Sequence, residues 1–131
     1  MLIVLDATVA VAASHSQLGF ARFRAHTLIG PPLMRIEASS VLHELAWRGQ
    51  LSPDHARAML ERLLRAPVEL RDPPGLTEAA WRLADELGWA KTYDAHYVAL
   101  AQLSGCKLVT LDERLHRGVA RLAITVRPSE L

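Results

Sequence analysis

The chain is expected to fold as an α/β protein, a three-layer α/β/α sandwich with a parallel sheet between helices. Short apolar runs alternate with stretches of helical periodicity along the whole chain. The runs are continuous rather than alternating, the pattern of strands buried on both faces. At 131 residues, 50% hydrophobic and 22% charged, the chain has the composition of one globular domain spanning residues 1–131. A chain of that size buries about two-thirds of the surface it exposes when unfolded.

The elements follow in order. Leu2 to Leu5 read as a buried strand, and the PPLM stretch at 31–34 as a second. Ser52-Pro53-Asp54 starts a helix, with serine as N-cap, proline at the first helical position and an acid in the first turn. Ala56, Met59, Leu60, Leu63 and Leu64 follow at helical spacing, and Pro67 ends the segment. Val68-Glu69-Leu70 is a third strand, closed by the turn residues DPPG. Leu76, Ala80, Leu83, Ala84 and Leu87 form an apolar stripe that stops at Gly88. From about Tyr93 to Ser104 runs a helix apolar on nearly all sides (AHYVALAQL), as expected for one packed deep against a sheet. Gly105 ends it, KLVTL is a fourth strand, ERLHRG a short helix and LAITV the last strand.

No apolar run approaches the roughly 18 residues needed to span a bilayer. The N-terminus does not read as a signal peptide, because no basic region precedes the apolar stretch and Asp6 interrupts it. The single cysteine, Cys106, cannot close an internal disulfide and reads as a buried structural thiol in a reducing cytoplasm. The formal net charge of +1, fifteen basic against fourteen acidic residues, does not by itself announce a nucleic-acid binder. With four of the fourteen acids committed to a cation, ten would face fifteen bases, of which thirteen are arginines suited to phosphate.

Four acids fall on one rim of the expected sheet. In open α/β sheets ligands bind beyond the carboxyl ends of the strands. Asp6 directly follows the first strand and Asp112 directly follows KLVTL. Glu37 lies in the first turn of the helix leaving the PPLM strand. Asp94 begins the apolar helix, which enters KLVTL through the tight turn at residues 104–106, so its N-terminus returns to that strand's carboxyl end. Taken singly, each acid has a plainer reading. Asp6 and Asp112 would serve as helix N-caps, and Glu37 and Asp94 would favour helix dipoles. Glu44 has a surface partner in Arg48 four residues on and is assigned no chemistry. Taken together, the acids need a counter-charge. Two carboxylates about 4 Å apart repel by roughly 4 kcal/mol at an effective dielectric near 20. All-oxygen donors suit Mg²⁺ or Mn²⁺ rather than zinc.

These segments resemble the PIN-domain ribonucleases, above all the VapC-type toxins of toxin–antitoxin pairs. VLDATV is similar to their opening motif, an acid after the first strand with a hydroxyl two residues on. PPLMRIEASSVLHEL resembles the segment carrying their helical glutamate. YDAHYVALAQLSGCKLVTLDERL is the most specific match, an acid starting a small-residue helix and a strand closing on T-x-D. The resemblance implies that Asp6, Glu37, Asp94 and Asp112 bind metal and carry catalysis, with Thr8 and Thr110 as polar supports. It also implies a five-stranded parallel sheet, Mg²⁺- or Mn²⁺-dependent endoribonuclease activity on RNA, homodimers, and a cognate antitoxin whose tail covers the site. The pattern departs in having Thr8 where serine or asparagine is commoner, and His96 at a usually apolar place. His96 reads as a satisfied histidine on a packed helix, or alternatively as a ligand or phosphate contact.

The competing readings lack their residues. A haloacid-dehalogenase-type phosphatase needs a second aspartate where Thr8 stands, and a receiver-like phospho-acceptor needs an acidic pair near the first strand. HELAW is not a zinc-protease motif, because no histidine stands four residues after His43. A catalytically inactive PIN-like domain kept for dimerisation and partner binding is the non-enzyme alternative. Which of Arg35, Arg114 and Arg117 would touch substrate is left open by the sequence.

Overall fold

The structure is a computed structural model that describes residues 1–131. Five parallel strands form one sheet: β1 (Leu2–Leu5), β2 (Thr27–Gly30), β3 (Val68–Leu70), β4 (Lys107–Val109) and β5 (Thr125–Val126), in the order β3-β2-β1-β4-β5. Ile3 sits beside Leu28 on one side and Lys107 on the other, which sets the register of the central strand. The expected sandwich is present, with its helices in two groups. α1 (Ala7–Ala13), α2 (Pro32–Trp47) and α3 (Pro53–Leu64) pack on one another, whereas α4 (Leu76–Leu87) and α5 (Tyr93–Ser104) pack together and α5 lies against β1 and β4. A short α6 (Glu113–Gly118) joins β4 to β5. From β1 the chain winds outward to β2 and β3, then returns across the sheet to β4. The strand order therefore reverses between β1 and β4, and a crevice opens at their carboxyl ends.

Thirty buried apolar residues form one core. β1 supplies Ile3, Val4 and Leu5, all at 0% exposure, and α5 supplies Ala95 and every residue from 97 to 101. That explains the all-apolar reading of α5: it faces the sheet on one side and α4 on the other. α3 and α4 end as expected, and the αL conformations of Gly88 and Gly105 (φ 72° and 64°) close α4 and α5 without the strain a β-carbon would bring.

The structure corrects three local expectations. Residues 31–34 are not a strand; β2 is the preceding Thr27–Gly30, and Pro31 and Pro32 are the N-cap and first residue of α2. Two prolines have no N–H to give a ladder, but their fixed φ suits a helix start. Glu37 consequently lies in the second turn of α2, not the first. Four elements also had no range assigned from the sequence: α1, and 3₁₀ turns at Gly19–Phe23, Ala120–Leu122 and Pro128–Glu130. Finally, Cys106 is half-buried rather than buried.

Candidate active site

β1 ends at Leu5, so Asp6 leaves the sheet at the reversal point, where it is the N-cap of α1. Only 4% exposed, it is surrounded by donors. Its Oδ1 accepts the Val9 N–H at 3.1 Å and the Thr8 hydroxyl at 2.5 Å, and its Oδ2 accepts the Thr110 hydroxyl. Each threonine is itself held from the chain after β4: Thr8 Oγ1 accepts the Leu111 N–H at 3.1 Å, and Thr110 Oγ1 accepts the Asp112 N–H at 3.0 Å. The turn after β1 and the turn after β4 are thus laced together through two hydroxyls.

Asp112, two residues beyond Thr110, is the N-cap of α6. Its Oδ1 accepts the N–H groups of Arg114 at 2.9 Å and Leu115 at 3.3 Å. The capping readings of Asp6 and Asp112 therefore hold. They do not compete with a cleft role, because a carboxylate offers about four acceptor sites and capping occupies only part of them. Glu37 reaches the same place from α2. Its Oε1 accepts the hydroxyl of Tyr97 on α5 at 2.5 Å. Asp94 stands at the start of α5, one helical turn before Tyr97, and is the only exposed member of the four.

All four acids line one cleft of about 300 Å³, together with Ala7, Thr8, Val11, Val41 and Tyr97. No lysine, arginine or histidine is among the lining residues. The convergence expected from the sequence is therefore a feature of the fold, with Thr8 in the cleft wall and Thr110 buried directly behind it.

A family model described as PIN domain matches residues 3–121. The chain belongs to the PIN-domain family. It is 39% identical over 130 residues to the VapC ribonuclease Mb0985 of Mycobacterium bovis, covering 97% of this chain and 99% of the relative. The same figures apply to ribonuclease VapC9 of Mycobacterium tuberculosis. A crystal structure of the protein PAE2754 from Pyrobaculum aerophilum superposes with a TM-score of 0.77 at 27% identity, covering 99% of this chain and 91% of that one.

Charge is crowded in this PIN-domain cleft. Burial pushes the Asp6 carboxyl above its usual range, the charge of Asp112 adds to the effect, and the bonds from Thr110, Thr8 and the Val9 amide work against it. Burial and then Asp112 raise Asp94, opposed by Arg114. Arg114 stands 4.0 Å from Asp112 with its side chain 86% exposed, too solvated to neutralise the cleft. Tyr97 is raised far above the ordinary phenol value, first by burial and then by its bond to Glu37, so it acts as a donor.

The donor chemistry fits a hard divalent cation: four carboxylates, every donor an oxygen, and no cationic side chain in the wall. No three histidine, cysteine, aspartate or glutamate side chains stand close enough to form a ready-made ligand sphere. Mg²⁺ does not require one. It keeps several waters and is ordinarily held through one or two carboxylates.

The remaining expectations sort cleanly. Glu44 pairs with Arg48 at 2.7 Å on the surface of α2. His96 is a satisfied helix residue, its Nδ1 bonded to the Thr92 carbonyl at 2.7 Å, and it does not line the cleft. Two residues escaped the sequence reading. Tyr97 was signalled by its place three residues after Asp94, which puts both on one face of α5. His116, four residues after the cap Asp112, is 8% exposed and bridges the Thr110 carbonyl (Nε2, 2.9 Å) to the Thr125 hydroxyl (Nδ1, 2.9 Å). It fixes the chain that carries Thr110 against β5.

Proposed function

We propose that this PIN domain is a Mg²⁺- or Mn²⁺-dependent endoribonuclease, the toxin of a type II toxin–antitoxin pair. The observation that carries the reading is the cleft itself, which four carboxylates line with no basic side chain among them. Asp6, Glu37, Asp94 and Asp112 would hold the cation, which supplies a water of lowered pKa and stabilises negative charge on a phosphodiester. The protein's own part is orientation. Thr8, Thr110 and the Val9 amide fix both oxygens of Asp6, so the most buried acid has one attitude toward the cleft. Asp112 is fixed by its capping bonds. Asp94, exposed at the mouth, is the acid that solvent and an RNA strand reach first.

Names of relatives that include VapC ribonucleases support the RNA substrate and the toxin role. On this reading residues 1–131 work as one domain, as a homodimer in the cytoplasm, and a cognate antitoxin occludes the cleft. No helix is long and apolar enough to cross a membrane. Expression of the chain without its partner, followed by mapping of transcript ends, tests the proposal. New RNA ends that vanish with Asp94→Ala support it; an unchanged transcriptome with a folded, soluble chain overturns it.

A further inference from the structure

We infer that Tyr97 is a positioning residue of the cleft: its hydroxyl holds Glu37 in the attitude in which that carboxylate binds a divalent cation. The inference rests on the metal-dependent reading above and assigns a function to a residue outside the four acids. Its basis is geometric. Tyr97 is 1% exposed and belongs to the hydrophobic core, yet it also lines the cleft, and its hydroxyl donates to Glu37 Oε1 at 2.5 Å. It is the one side-chain hydrogen bond between α2 and α5, which belong to different helix groups. Glu37 has no other hydrogen-bond partner, whereas Asp6 is held by three donors and Asp112 by two.

A glutamate at the end of three rotatable bonds must be ordered before it can share a cation with acids on other elements, and that ordering opposes binding. The bond from Tyr97 supplies it in advance. It occupies one oxygen, Oε1, and leaves Oε2 without a hydrogen-bond partner and so free to serve as a ligand. A phenylalanine would fill the same space in the core, so packing accounts for the ring and not for the hydroxyl. Hydrogen bonds to metal-binding side chains commonly change metal affinity by about 10–100-fold.

Calorimetric titration of Mn²⁺ into the metal-free protein tests this with four chains: wild type, Tyr97→Phe, Glu37→Gln and the double variant. Each is also melted in EDTA. The expected result is a Tyr97→Phe protein that melts within a few degrees of wild type yet binds Mn²⁺ about tenfold more weakly. In the Glu37→Gln background the same substitution should change affinity by less than twofold, because the group it positions is gone. Equal Mn²⁺ affinity in wild type and Tyr97→Phe overturns the inference and leaves the metal reading standing. An equal loss in both backgrounds also overturns it, since the effect would then bypass Glu37. If Tyr97→Phe does not fold, the comparison of wild type with Glu37→Gln decides: undiminished affinity in Glu37→Gln overturns the inference, and a tenfold or greater loss supports it. Absence of Mn²⁺ binding by wild type overturns both readings.

Discussion

The hydroxyl of Thr110 donates to Oδ2 of Asp6 across 104 residues of sequence, joining the chain after β4 to the chain after β1. Both groups are buried, at 0% and 4% exposure, and Thr110 also receives the Asp112 N–H. One side chain therefore orients one acid and anchors the backbone of another. Thr110→Val keeps the shape and removes both functions. A buried bond to a charged group contributes roughly 1.5–3 kcal/mol, and urea unfolding should show a loss in that range. Cleavage should fall further than stability accounts for at a temperature where the variant remains folded. A Thr110→Val protein with wild-type stability and cleavage would mean that the link is incidental.

Asp94 tests the electrostatic side. Its carboxyl is raised by burial and by Asp112, so in the metal-free protein the folded state holds its proton more tightly than the unfolded chain does. Such a group stabilises the fold below its unfolded value, near 3.8, and that contribution is lost as pH rises through the raised folded value. Asp94→Asn removes the penalty and should stabilise the metal-free protein at neutral pH by about 1 kcal/mol, a small figure because the exposed side chain is screened by water. The gap between mutant and wild type should close as pH falls toward 3.8. Melting curves in EDTA across that range check it, and a mutant that melts below wild type at pH 7 would refute it.

Divalent cation should act in the opposite sense to that mutation. Ligand that binds only the folded state stabilises it by mass action, about 2.7 kcal/mol at a hundredfold excess over Kd. Millimolar Mn²⁺ should therefore raise the melting temperature of wild type more than that of Asp94→Asn. Equal shifts in both would place the ion elsewhere.

A partner is the fourth expectation. A small protein encoded beside this chain should co-purify with it and suppress cleavage, and expression of the chain alone should arrest growth. Harmless expression of an active nuclease, with no neighbour bound, would remove the toxin role and leave the ribonuclease role intact.

Much of this was legible in the sequence because it was written in period and punctuation. β1, β3, α3, α4 and α5 follow directly from apolar runs bounded by Ser-Pro, Gly or DPPG. β2 was not, because TLIGPPLM is one unbroken apolar stretch, and the missing proline N–H groups had to decide which half was strand. α1 was legible only as the helix that the capping reading of Asp6 implies, because the valines at alternate positions in ATVAVAA imitate a strand. The four acids could be placed on one rim from topology alone. The roles of Tyr97 and His116 could not, since they depend on where a hydroxyl and an imidazole meet elements distant in sequence.

The central claim is that the cleft lined by Asp6, Glu37, Asp94 and Asp112 cuts RNA with a divalent cation. Asp94 is the acid to change, because Asp6 and Asp112 also cap helices and their loss confuses chemistry with folding. The measurement is cleavage of a transcript by purified wild type and Asp94→Ala, each in EDTA and in millimolar Mn²⁺, with circular dichroism recorded on the same samples. The account predicts cleavage only by wild type with Mn²⁺, and superimposable spectra. Cleavage by Asp94→Ala at the wild-type rate, or by wild type in EDTA, would contradict it.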